Sequence, residues 1–189
     1  MRVVSLLPSA TEIVFAVGRG DDLVGVTFEC DHPPEARERR VVSTSTLPSG
    51  LSPAEIDAEV SARVAAGEDL YRLDQDTLAA LDAEVVLTQD LCAVCAVDLD
   101  RVDDALAYLG CTAEVVTLDP HTLDEVLTSI LTVGTVLGAR TTADELVGAL
   151  RARLRRLEVT LRGAARPSVL AWNCWPTARS GPSPPSPRR

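Results

Sequence analysis

The stretch from Val3 to Gly18 constrains the fold of this chain more than any other. An apolar run, Val3, Val4, Ser5, Leu6 and Leu7, meets Pro8 and opens into Ser9, Ala10, Thr11 and Glu12. Proline favours an extended residue before it and cannot donate into a β-ladder, so a strand must end there. Ser9 and Glu12 have capping-box spacing and Gly18 is a natural stop, which together predict a helix to about Val17. A strand that feeds directly into a helix is the opening half of a βαβ unit. The corner Pro8 to Thr11 then lies at the carboxyl end of a parallel strand, the edge at which open α/β sheets take their ligands.

The alternation continues. Leu23 to Thr27 reads as a second strand, closed by Phe28, Glu29, Cys30, Asp31, His32 and the breaker pair Pro33, Pro34. Val41 to Ser43 reads as a short edge strand. Ser52, Pro53 and Glu55 give a second capping box, with Ile56, Val60 and Val64 on one face of the helix that follows and Gly67 at its end. A short helix over Thr77 to Leu81 leads into a strand, Glu84 to Thr88, and then the loop Gln89, Asp90, Leu91, Cys92, Ala93, Val94, Cys95. A helix capped by Asp98 or Asp100 runs to Gly110, and a strand from about Ala113 to Leu118 ends in the corner Asp119, Pro120, His121. Beyond Thr122 the pattern is helical: one helix to about Leu137, then a second from Thr141 or Thr142 with Leu146, Leu150, Leu154, Leu157 and Leu161 in a three-and-four stripe. Gly163 and Pro167 close it, Ser168 to Trp172 starts another strand, and Asn173 to Arg189 has too little apolar content to offset ordering entropy.

The 189 residues, 46% of them hydrophobic, suffice for one α/β domain with a real core. Charge is unevenly spread. Residues 1–150 carry 27 acidic side chains against 9 arginines, whereas residues 151–189 carry 1 against 9, and lysine is absent. So acidic a body repels phosphate backbones, which excludes nucleic acid as the expected partner. The five cysteines are an odd number in a chain of ordinary core-forming composition, which argues against a disulfide framework. The first strand begins at once after Met1 and Arg2 with no basic leader, so the expected location of the chain as written is cytoplasmic.

Four corners, Pro8 to Thr11, Glu29 to Pro33, Gln89 to Cys95 and Asp119 to Thr122, are expected to converge on one sheet edge, with Ser9, Cys30 and Cys92 within reach of one bound molecule. Each candidate has a plainer reading beside it. Ser9 is either a ligand contact or a helix cap. Cys30, Asp31 and His32 are either soft-metal ligands or, respectively, a small buried hydrophobe and a turn before two prolines. Cys92 and Cys95 form a CxxC, which binds metal or cycles as a dithiol. It supplies two ligands, so a closed zinc site needs Cys30 and His32 as well. Cys111 reads as core, and His121 is explained by a helix first turn. Hydrolase and nucleotide-binding readings fail: there is no GxSxG elbow, no lysine for a P-loop, and Gly18 and Gly20 follow the helix instead of preceding it. A thioredoxin-like reading of Cys92 and Cys95 lacks the usual aromatic neighbour and later proline.

The runs VVSLLPSATEIVFAVG, LVGVTFECDHPPEA, VVLTQDLCAVCAVD and VVTLDPHTLDEVLTSI resemble, in order, the helical-backbone or class III substrate-binding proteins of ABC importers, most strongly the cobalamin-binding branch. The resemblance implies a Rossmann-like parallel-sheet lobe over residues 1–140 and a long backbone helix over residues 141–166. Residues 167–189 would hold the start of a second lobe, largely missing, and a Pro/Ser/Arg tail. It implies a binding protein with no catalytic residues, no required cofactor, a cobalamin or iron-siderophore-type chelate as ligand, and a membrane permease as partner for an exported, full-length form. Family members are usually periplasmic or cell-surface lipoproteins. The ligand-facing candidates are Pro8, Ser9, Cys30, Asp31, His32, Asp90, Cys92 and Cys95. The alternative is a thiol-based metal-binding or redox protein using Cys92 and Cys95, with zinc as its metal.

Overall fold

A computed structural model describes residues 1–68, 70–89 and 113–169. Among them a six-stranded sheet has the order β4-β3-β2-β1-β5-β6. β1 (Val3–Ser5) lies in its middle, wholly buried, and pairs in parallel with β2 (Leu23–Thr27) on one side and β5 (Val85–Thr88) on the other. β3 (Arg40–Ser45) and β6 (Glu114–Thr117) extend the parallel run, and β4 (Tyr71–Leu73) closes one edge antiparallel to β3. β3 is therefore interior, not the edge expected from Val41 to Ser43. Its covering strand has only three residues, too few to show a period-two pattern.

Alternation along β1 assigns the two faces. Val3 points with Leu23, Val85 and Leu87 into a core closed by Val14 of α1 (Pro8–Ala16) and Val133 of a later helix. Val4 points with Val42 and Val86 to the opposite face, where Leu78 of α3 (Gln75–Leu81) covers it. Between these two helices in sequence, α2 (Pro53–Ala66) begins at the expected capping box: Ser52 accepts from the Glu55 amide and Glu55 from the Ser52 amide. Gly67 ends it in the left-handed region at φ 69°. No residue of α2 is buried, however, and Ile56 and Val64 stay about two-fifths exposed. Their spacing gives a face on which Val60 is half-buried and the other two stay open.

α1 departs from expectation at its start. Leu7, not Ser9, is the N-cap, and no side chain caps it. Pro8 takes the first helical position, where its fixed φ fits and its missing donor costs nothing, so the helix starts earlier and Ser9 falls inside the first turn.

The last two described helices form a tight antiparallel hairpin. α4 (Leu123–Val136) opens on a capping box between Thr122 and Glu125, and α5 (Arg140–Thr160) returns along it. A Cβ at Gly134 would overlap that of Ala143, so the absence of a side chain sets how closely the helices approach. Arg151 donates to Asp124 at 3.0 Å, which fixes the register. Because Asp124 is at the start of α4, the nine residues of α5 after Arg151 run on for about 14 Å past that end. Of the expected strand from Ser168 to Trp172 only Ser168 and Val169 are described, neither in a strand, and its remainder, like the tail from Asn173, lies outside the described residues. No described helix is long and apolar enough to cross a membrane.

Candidate functional site at the carboxyl edge of the sheet

β1, β2, β5 and β6 run parallel, so the four corners that follow them leave the sheet at its carboxyl edge. From β2 to β6 that edge spans three strand spacings, about 14 Å. Of the Gln89 to Cys95 corner only Gln89 is described. Asp90, Cys92 and Cys95, like Cys111, lie outside the described residues.

At the β1 corner Pro8 is half-buried and Ser9 exposed, with no capping duty to occupy the Ser9 hydroxyl. The β2 corner divides its residues. Cys30 is 3% exposed and turned into the core beneath α1. Its sulfur accepts from the Thr11 hydroxyl at 3.1 Å and lies 3.2 Å from that of Thr27. It sits as the small buried hydrophobe would, enclosed in the core and not open at the edge. Sequence spacing could not decide this, because the thiol suits both environments. Asp31 and His32 are exposed, and Asp31 pairs with Arg37 at 3.3 Å. Cys30 and His32 thus point to different surroundings, and among the described residues no three His, Cys, Asp or Glu side chains group as metal ligands.

At the β6 corner His121 Nε2 lies 3.0 Å from Asp119, and both side chains are exposed or half-exposed. The His121 amide, with that of Thr122, donates to Glu125 and holds its carboxyl below the usual range. This negative charge sits at the positive end of α4, where it is favoured.

An aromatic pair at this edge escaped the sequence reading. Tyr71 is in register with Ser45, the last residue of β3, so the antiparallel β4 begins at the carboxyl edge. Phe28 follows the end of β2, and its ring centroid lies 6.2 Å from that of Tyr71 at a 34° tilt. Phe28 remains 43% exposed, and the Tyr71 hydroxyl donates to Glu29 at 3.4 Å. With aromatics only 3% of the chain, two of them meeting here is a property of strand order that composition conceals. Beside the edge, a groove of about 550 Å³ runs down the flank. Ser9, Glu12, His32 and Pro33 line it together with Ile13, Val126, Ile130, Leu146 and Leu150 from three helices.

Solved structures share this fold. The periplasmic vitamin B12-binding protein BtuF of Vibrio cholerae superposes with a TM-score of 0.60 at 22% identity, over 85% of this chain and 51% of that one. A periplasmic haem-binding protein from Pseudomonas aeruginosa gives 0.61 at 21% identity, over 86% of this chain and 47% of that one. The chain has the fold of a class III substrate-binding lobe. Sequence relatives include substrate-binding proteins. A Bacillus subtilis ABC transporter substrate-binding lipoprotein, YvrC, is 28% identical over 157 residues, 83% of this chain and 40% of that protein. A vitamin B12-binding protein of Vibrio cholerae is 49% identical over 47 residues, 24% of this chain and 17% of that one. No family model matches. The chain thus spans about half the length of the solved structures and less of the curated relatives. None of these proteins is named for thiol chemistry.

Proposed function

We propose that the chain is the ligand-binding lobe and backbone helix of a substrate-binding component of an ABC importer, taking cobalamin or a related metal chelate and performing no chemistry of its own. One observation carries this reading: the carboxyl ends of four parallel strands share one edge of a class III lobe, and that edge presents an exposed Phe28 beside a half-buried Tyr71. A large chelate is held by apolar surface with a few placed polar groups. Pro8, Phe28 and Tyr71 supply the first, and Ser9, Asp31 and His32 the second. Asp90, Cys92 and Cys95 are proposed to join them from the β5 loop. The membrane partner is an importer permease. The relatives are named as periplasmic proteins or a lipoprotein, which supports action outside the cytoplasmic membrane over the cytoplasmic location expected from the first residues.

Calorimetric titration with cyanocobalamin, haemin and a ferric siderophore tests the reading. One ligand class is expected to bind at one per chain. Its affinity should be modest, because one lobe buries less of a ligand than a closed cleft does. Phe28→Ala should weaken binding about three- to tenfold, the worth of one aromatic contact. No heat and no spectral change with any of the three at about 1 mM, where even a 4 kcal/mol interaction registers, would overturn it.

A further inference from the structure

The groove beside the sheet edge changes character along its length. Its upper end opens among Ser9, His32 and Pro33, which belong to the β1 and β2 corners, and Glu12 lies about one turn of α1 further down. Below them the lining is apolar, with Ile13 and Ala16 of α1, Ile130 of α4 and Leu146 of α5. From Ser9 to Ala16 the groove follows α1 for about 10 Å. Ile13, Ile130 and Leu146 share one cluster, yet Ile13 and Leu146 are only half-buried, so the three helices leave their own seam unfilled. The space of about 550 Å³ falls within the roughly 300–1,000 Å³ of small-molecule sites. Among the described residues the Ser9 hydroxyl, the Glu12 carboxylate and the His32 imidazole have no hydrogen-bond or ion-pair partner, which leaves the mouth free to meet a polar guest.

We infer that the ligand held at the edge carries a neutral aliphatic arm, and that this arm lies in the groove with its polar link to the chelate beside Ser9, Glu12 and His32. Such an arm presupposes the chelate-binding reading above and narrows it to acylated or alkylated chelates. Continuity selects the occupant: Ser9 and His32 serve both the edge and the groove, so a molecule seated on the edge already stands at the mouth. Moving inwards, it meets polar groups first and apolar ones second, which is the order of polar link and hydrocarbon in an amphiphilic chelate. A purely apolar guest would leave the polar groups of the mouth unanswered. A free fatty acid would set its carboxylate beside Glu12, in a body whose first 150 residues carry 27 acidic side chains against 9 arginines.

Calorimetric titration of the full 189-residue chain with paired ligands tests this. Each of three chelates carries either a two-carbon or an eight-carbon arm: cyanocobalamin acylated at its ribose hydroxyl, haemin esterified at a propionate, and ferric desferrioxamine acylated at its free amine. For the chelate class that binds, the eight-carbon form should bind about fiftyfold tighter at one per chain. Six added methylenes contribute about 0.8 kcal/mol each when fully buried, and about half of that applies in a groove open to solvent along its length. Ala16→Trp, at an exposed position of α1, obstructs the lower end of the groove. It should cut the preference to about threefold or less, with the two-carbon affinity and the far-UV circular dichroism unchanged. Equal affinity for short and long arms overturns the arm and leaves chelate binding standing, as when the chain's own residues or a second copy fill the groove. A long-arm preference that survives Ala16→Trp overturns the placement. No binding by any of the six ligands overturns the arm and the chelate-binding reading together.

Discussion

Replacing Cys30 by alanine separates a core role from a ligand role more cleanly than any other change. The side chain is 3% exposed, so deleting its sulfur, which is about the size of one methylene, forfeits about 1 kcal/mol of burial free energy. It also removes the acceptor of the Thr11 hydroxyl, itself fully buried, and an orphaned buried donor costs about 1–2 kcal/mol. Thr27 suffers less, since its hydroxyl still accepts from the Glu29 amide at 3.3 Å. The expected loss is therefore about 2–3 kcal/mol. At about 2 kcal/mol per molar denaturant, the urea midpoint followed by far-UV circular dichroism should fall by about 1–1.5 M. Adding Thr11→Val removes the orphaned hydroxyl, and the double variant should recover about 1 kcal/mol relative to the sum of the two single changes. Chelate affinity, measured where the variant is folded, should be unchanged. An unshifted midpoint would refute the core assignment, and lost binding at retained stability would return the thiol to the ligand set.

Three further outcomes follow from the packing and the caps. Gly25→Ala, in the middle of β2, would place a Cβ 2.8 Å from Leu81 Cδ1, 3.0 Å from Val42 Cγ1 and 3.1 Å from Val4 Cγ2. It should destabilise by about 1–3 kcal/mol in calorimetry, and a gain in stability would contradict this packing. Thr122→Ala removes half of the α4 capping box and should cost about 1 kcal/mol, read as a lower urea midpoint with no change in fold. Acid should melt the helices from their N-termini. Glu55 is held below its ordinary value of 4.5 by the Ser52 hydroxyl and amide, Asp74 below 3.8 by the Thr77 amide and hydroxyl, and Glu125 below 4.5 by the His121 and Thr122 amides. A depressed folded-state pKa contributes stability above the unfolded value and loses it as pH falls through the folded one. Helicity at 222 nm should therefore hold down to those ordinary values and decline below them, and Glu125→Gln should shed part of that dependence. Helix loss beginning above pH 6 would show that other groups govern it.

What was legible in the sequence was whatever depends on short-range pattern. The strand-corner-helix start, the Ser52 and Glu55 box, and the Gly67 stop each follow from a few adjacent residues and stand as read. Which corners share an edge was also legible, because parallel strands joined by helices place every β-to-α turn on one side. The start of α1 was misread because two N-terminal signals compete there, and a proline fixed in φ outweighed a serine free to cap. Long-range placement was not legible. The meeting of Phe28 with Tyr71 depends on β4 folding back along β3, which no local period encodes. The orientation of Cys30 depends on Thr11, nineteen positions earlier, offering its hydroxyl across a helix-sheet contact. The loop that carries Asp90, Cys92 and Cys95 lies outside the described residues.

The position of β1 carries a consequence for how the chain comes into being. Val3, Val4 and Ser5 are made before either of their neighbours, and one of the two, Val85 to Leu87, follows 82 residues later. At about 5–20 residues per second that interval is about 4–16 s. Until it ends, the nascent sheet can extend only on the side of β2, β3 and β4, and the other side of β1 presents open amides and carbonyls beside apolar side chains. Three residues make a poor template for an intruding strand, so the brevity of β1 limits misassembly during synthesis. A nascent chain halted before Val85 keeps its innermost strand as an outer edge, and is the species on which chaperones should be found.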